Sequence, residues 1–140
     1  MKILLIPLII GFGAQAMKII RYARTPKEAW KQLFASGGMP SSHTAFVTSI
    51  TTIIFLSAGW NSPLFALSLI YALLIIRDAV GLRQALSRHS LIINRLRQIL
   101  PTEDRLNIPP LEERMGHTPA EALAGAIWGI GGSLIIWFIF

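Results

Sequence analysis

The chain contains no cysteine. Disulfides, zinc–thiolate sites and thiol nucleophiles are therefore excluded. Charge is also scarce: 14% of the 140 residues are Asp, Glu, Lys or Arg, about half the share of an ordinary soluble domain. The few charges are segregated. Of the 13 Lys and Arg, 12 lie in Lys18–Lys31 or Arg77–Arg114, and all seven acids lie between Glu28 and Glu121. What remains is long charge-free stretches, with 53% apolar residues and a mean hydropathy of +0.56. That pattern excludes an ordinary water-soluble fold and predicts a polytopic membrane protein. The net charge of +6 does not argue for nucleic acid, because the basic residues flank apolar segments, as membrane topology requires.

Four apolar segments can be drawn, at about Ile3–Ile20, Thr44–Trp60, Pro63–Ile76 and Ala120–Phe140. The expected architecture is all-α, a single domain over residues 1–140 with about four membrane helices. Lys2, the run Ile3–Phe12 and Ala14-Gln15-Ala16 also have the form of a cleavable leader. The reading taken here is a first membrane helix, interrupted by Gln15 and Lys18. The third segment is short for a span and has to borrow polar neighbours or be shielded by protein. Gly59-Trp60-Asn61-Ser62-Pro63 predicts a tight helical hairpin, with Asn61 or Ser62 as cap and Pro63 in the first turn. The basic loops place Lys18–His43 and Arg77–Pro119 in the cytoplasm and the uncharged turn outside, which would put Met1 and Phe140 on the outer side as well.

The long inner loop carries a further helix. Leu82, Leu86, His89, Ile93, Leu96 and Leu100 recur at helical spacing, while Arg83, Ser87, Ser90, Asn94 and Arg97 fall largely off that stripe. This predicts a basic amphipathic helix, either in the headgroup region or packed on the bundle. Pro101, Pro109 and Pro110 then interrupt regular structure.

Two stretches can carry chemistry. Gly37-Gly38-Met39-Pro40-Ser41-Ser42-His43 precedes the second apolar segment. Its glycines permit close backbone approach, and the serines and proline mark a helix start, where unpaired N–H groups hold an anion. His43 adds a proton donor that works near neutral pH. Gly116-His117-Thr118-Pro119-Ala120-Glu121 repeats the design ahead of the fourth segment. Thr118, Pro119 and Glu121 form a capping box, which accounts for those three residues but not for His117. Glu121 can also reach back to orient His117, as an acid orients a catalytic histidine. Two histidines on one side of the membrane could face one phosphate, one attacking phosphorus and one protonating the leaving oxygen. Cations for the phosphate oxygens are drawn from Lys18, Arg21, Arg24, Lys31, Arg83 and Arg114. Asp78, at a membrane helix end, is a network residue or the partner of Arg77 or Arg83. His89 is read as part of the apolar stripe. No compact set of acids and histidines has metal-ligand spacing, so neither metal nor cofactor is expected.

These residues carry a resemblance. Gly37–Ala45, Arg77–Arg83 and Gly116–Glu121 with Gly125 resemble the divergent branch of the type-2 phosphatidic acid phosphatases, a family related to vanadium-dependent haloperoxidases. The resemblance runs from about Lys31 to Gly129. It implies an all-helical, metal-independent phosphatase for lipid phosphates that works through a phosphohistidine. By resemblance His117 is the nucleophile, Glu121 its acid partner, and His43 the leaving-group acid. Gly37, Gly38, Ser41 and Ser42 would bind phosphate. The family's first motif, lysine and then Arg-Pro, has a loose counterpart in Lys18, Arg24 and Pro26. The arginine usual six residues before the third-motif histidine is Leu111 here, so Arg83 or Arg114 would substitute. The expected partners are membrane lipid and a phosphorylated lipid substrate, and four modest helices leave room for a homodimer. The competing expectation is a non-catalytic membrane protein of the same fold that binds anionic lipid or a partner protein.

Overall fold

The apolar runs form long helices, and the chain is a helical membrane bundle. The computed structural model describes residues 2–34 and 37–139; the side chains of Lys31, Phe34, Asp104 and Leu106 are also outside that description, and with them the candidate cation Lys31. The described elements are helices α1 (Lys2–Tyr22), α2 (Pro26–Phe34), α3 (Ser42–Ala58) and α4 (Pro63–Arg77). A π-helical turn (Asp78–Leu82) leads into α5 (Arg83–Gln98), and α6 (Thr102–Asn107) and α7 (Pro119–Ile139) follow. Helices α1 and α7, and the unbroken run Pro63–Gln98, are long and apolar enough to cross a membrane, while α3 is a shorter apolar helix.

Local chemistry sets the helix starts. The Ser41 hydroxyl caps α3 by accepting the Thr44 N–H at 3.3 Å. Ser62 caps α4, accepting from Leu64 N–H at 3.2 Å, with Pro63 in the first turn. Ahead of α7 the capping box is closed in both directions: Thr118 N–H donates to Glu121 Oε2 at 3.0 Å and Glu121 N–H to Thr118 Oγ1 at 3.2 Å.

Helix α3 is the axis of the bundle and packs against α1, α4 and α7, while α1 and α7 also touch. The core is small: Ile6, Ile10 and Ala14 of α1 meet Ala45 and Ile53 of α3, with Leu56, Ile136 and Trp137 against them. Where α7 crosses α3 the contact is backbone to backbone. A Cβ at Gly129 would sit 2.5 Å from the Ala45 carbonyl and strike Thr48 Oγ1, and one at Gly125 would strike the Ser41 carbonyl. Small residues at such crossings let membrane helices approach closely enough for dispersion and polar contacts to hold them. Ser49 and Ser133 use that closeness for a buried hydroxyl pair at 2.6 Å. Thr48 and Thr52 return their hydroxyls to carbonyls of their own helix, so these polar side chains are satisfied internally.

The short third segment is explained by continuity. Helix α4 does not stop at Arg77 but runs through the π turn into α5. The π turn leaves the Ala79 carbonyl to accept the backbone N–H of His117 at 3.0 Å. Helix α5 then scaffolds the extended loop 108–117. Ser87 Oγ accepts from Met115 N–H (2.9 Å) and Gly116 N–H (3.2 Å). The Asn94 amide exchanges two hydrogen bonds with the Leu111 backbone, at 2.8 and 2.9 Å, and a third with Glu113. Arg97 Nε donates to the Ile108 carbonyl.

Candidate functional site

The C-terminal end of α1 and the N-terminal ends of α3 and α7 meet at one end of the bundle, beside the π turn. There, between α1 and α4 and floored by α3, lies a cleft of about 550 Å³. Its polar end is lined by Gln15, Lys18, Ser42, His43, Arg83 and His117, and its other end by apolar side chains including Phe12, Phe46, Ile50 and Ile75. The imidazoles of His43 and His117 stand 6.4 Å apart, centroid to centroid, at a steep interplanar angle of 65°. They come from segments 74 positions apart, joined by a direct backbone bond: Ser41 N–H donates to the Glu121 carbonyl at 3.0 Å.

His117 is 2% exposed and held from three sides. Its backbone N–H is on Ala79, and the preceding Gly116 lies flat on the start of α5. A Cβ at Gly116 would come within 2.5 Å of Gln84 N and 2.8 Å of the Arg83 carbonyl carbon, so no other residue fits without moving the loop. Its Nδ1 faces Glu121 Oε2 at 3.3 Å. With the Nδ1 proton directed at that carboxylate, Nε2 carries the lone pair. Burial pushes the His117 pKa below its ordinary value, and the nearby Lys18 ammonium adds to the shift. Glu121 opposes it through charge and hydrogen bond without reversing it. The shift favours the neutral imidazole, which keeps a free lone pair on one ring nitrogen.

Lys18 is a second buried ionisable side chain at the cleft, 2% exposed and within the membrane span α1. It makes no ion pair among the described residues. An ammonium buried at membrane depth is costly unless an anion meets it, and the cleft is the open side of this one. Arg83 also lines the cleft, with its Nε 2.8 Å from Asp78 Oδ2. Asp78 itself borders a small cavity shared with His43, Arg83 and His117.

Several candidates stand elsewhere. Ser41 is fully buried against Thr44 and Gly125, and its hydroxyl is spent on capping. Gly37 and Gly38 have φ of +87° and +85°, which favours glycine. They back onto Arg114 and Tyr22 rather than line the cleft. Arg114 is 66% exposed, 3.6 Å from Glu121 Oε1 and over the Tyr22 ring. Arg24 sits in the α1–α2 turn, where its backbone N–H caps onto Glu28. Arg21 packs against Tyr22. His89 is exposed on α5.

One residue at the cleft had no place in the motif reading. Gln15 Oε1 accepts the Ser42 hydroxyl at 2.6 Å, while its Nε2 donates to the Gln32 and Leu33 carbonyls at the end of α2. The signal was an amide inside an apolar run, which demands partners at membrane depth.

The fold and this cleft define an integral membrane protein in which a buried lysine and two histidines line one cleft. The chain belongs to the Divergent PAP2 family, whose model matches residues 1–131. It is similar to a protein of Bacillus subtilis (strain 168) described as "Uncharacterized membrane protein YuiD". The two are 32% identical over 139 residues, covering 91% of this chain and 88% of that protein. No solved structure matches.

Proposed function

We propose that the chain is a lipid-phosphate phosphatase that hydrolyses a phosphomonoester or diphosphate lipid through a phosphohistidine at the cytoplasmic face. The observation that carries this reading is the pairing of His43 and His117 at 6.4 Å over a cleft in which Lys18 is buried and makes no direct ion pair with any described residue. The apolar far end of the cleft suits a lipid tail, and the polar end suits its phosphate.

In the first step His117 Nε2 attacks phosphorus. The N–P bond forms, the P–O bond to the lipid breaks, and His43 in its protonated form gives a proton to the departing oxygen. Burial, with the Arg83 and Lys18 charges, holds the His43 pKa below its ordinary value against the opposing charge of Asp78, so this acid form grows as the pH falls. Lys18, Arg83 and the free N–H groups at the start of α3 hold the non-bridging oxygens. Glu121 stabilises the positive charge that develops on His117. In the second step His43 takes a proton from water, whose oxygen attacks phosphorus. The N–P bond breaks, and inorganic phosphate leaves. The basic residues of the site-bearing loops favour the cytoplasmic side.

A second reading, anionic-lipid binding without turnover, is favoured by Arg83 being engaged by Asp78 and Arg114 being turned to solvent beside Glu121. Phosphate release by the purified protein from phosphatidic acid, phosphatidylglycerol phosphate or a polyprenyl diphosphate separates the two. Release that disappears in His43→Ala and His117→Ala supports hydrolysis. Equal release by wild type and both variants sinks it, and tight binding of these lipids with no release favours the second reading.

A further inference from the structure

We propose that α5 is a docking helix for an anionic bilayer surface, with its apolar stripe resting on the lipid. This is independent of whether the cleft hydrolyses anything. A helix packed on the aqueous side of a protein turns its apolar stripe inward and its polar stripe to water. Helix α5 does the reverse. Its polar side is occupied by protein: Ser87, Asn94 and Arg97 hold the loop 108–117, and Ser90 is buried. Leu82, Leu86, Ile93 and Leu96 are left exposed.

The position of α5 says what covers that stripe. Helix α4 has 15 residues, about 22 Å at 1.5 Å per residue, which falls short of a hydrocarbon core of about 30 Å. The five-residue π turn extends the span to about 30 Å, so α5 begins where the bilayer's headgroups begin, and a bend at the π turn lays α5 along that surface. Its charge points the same way. From Arg83 to Gln98 there are four arginines and no acid. Arg83 is engaged by Asp78 and Arg97 by the Ile108 carbonyl, which leaves the exposed Arg88 and Arg95 for the surface. A second copy of α5 laid against the first would set those arginines against each other, whereas anionic headgroups complement them. An apolar stripe flanked by arginines is the build of a helix that lies in the interface.

The absence of cysteine makes a direct test available. Ile93→Cys in the full chain, carrying a nitroxide, is reconstituted in phosphatidylcholine vesicles with and without phosphatidylglycerol. Its collisions with oxygen and with a water-soluble nickel chelate are then compared. A label at Leu86→Cys repeats the reading one helical register away, and one at Glu112→Cys on the loop gives the aqueous reference. The expected result is an oxygen-to-nickel ratio several-fold higher at positions 86 and 93 than at 112. The ratio should rise further with phosphatidylglycerol, and Arg88→Gln with Arg95→Gln should reduce that rise. Aqueous ratios at 86 and 93 in anionic vesicles overturn the proposal. So does spin–spin broadening that grows with protein per lipid, which would seat a second copy there. A ratio indifferent to phosphatidylglycerol removes the anionic surface as the partner.

Discussion

Glu121→Gln separates the two jobs of one carboxylate. Glu121 Oε2 accepts the Thr118 N–H at 3.0 Å, closing the capping box, and also faces His117 Nδ1 at 3.3 Å. Glutamine keeps the cap, since its carbonyl oxygen accepts the same N–H. It loses the negative charge opposite the imidazolium that forms when His117 attacks. At 3.3 Å and an effective dielectric constant of about 20, that charge pair is worth about 5 kcal/mol. Glu121 is 14% exposed, and water at its edge reduces the figure to roughly half. With about 1.4 kcal/mol per factor of ten, kcat should fall about 10²- to 10⁴-fold. The exposed contact to Arg114 at 3.6 Å adds little. The assay is phosphate release from phosphatidic acid in mixed micelles, with thermal unfolding followed by circular dichroism on the same samples. A variant with unchanged Tm and a kcat within about threefold of wild type would refute the reasoning and leave Glu121 as a cap alone.

Other perturbations probe the supports of His117. Gly116→Ala places a methyl group against the backbone of Gln84, which cannot yield. The loop should lift by about an ångström, at a cost near 10²-fold in activity with helicity unchanged; wild-type kinetics would show that the close approach is dispensable. Asn94→Leu removes three exposed hydrogen bonds to the loop, each worth about 0.5 kcal/mol, so limited proteolysis in 108–114 should speed up about tenfold. An unchanged cleavage rate would mean that the loop is held by other contacts. The lowered pKa of His117 keeps its nucleophilic form below the ordinary histidine range, so the acid limb of kcat/KM should fall below pH 6.5. Because Glu121 raises that pKa, Glu121→Gln should move the limb further to acid; a move toward neutrality would contradict the electrostatic assignment.

Much of the fold was legible because membrane burial writes itself into continuous apolar runs. Segments drawn at about Ile3–Ile20, Thr44–Trp60 and Ala120–Phe140 correspond to α1, α3 and α7, and Ser62-Pro63 begins α4 as its capping chemistry requires. The stripe from Leu82 to Leu100 foretold α5. The ending of α4 was not legible, because Arg77 and Asp78 look like a terminus. Only the His117 N–H, 38 positions on, shows what the Ala79 carbonyl in the π turn is for. The site was legible in its histidines and the Thr118–Glu121 box, which are local patterns. Its supports are long-range. Ser87 and Asn94 look like a solvated helix face until the 108–117 loop is laid on them. Ser41 looks like a phosphate ligand until Gly125 buries it. Local spacing carries caps and stripes, but it carries no information on which distant backbone will need a partner.

The measurement that bears most directly on the central claim is the search for a covalent intermediate. The protein is mixed rapidly with a ³²P-labelled lipid phosphate, quenched in alkali and mapped by mass spectrometry. The account predicts an acid-labile, alkali-stable phosphoryl group on the His117 imidazole of the wild type that forms more slowly in His43→Ala and is absent in His117→Ala. Turnover with no phosphoryl group on His117, or with the group on another residue, would contradict it.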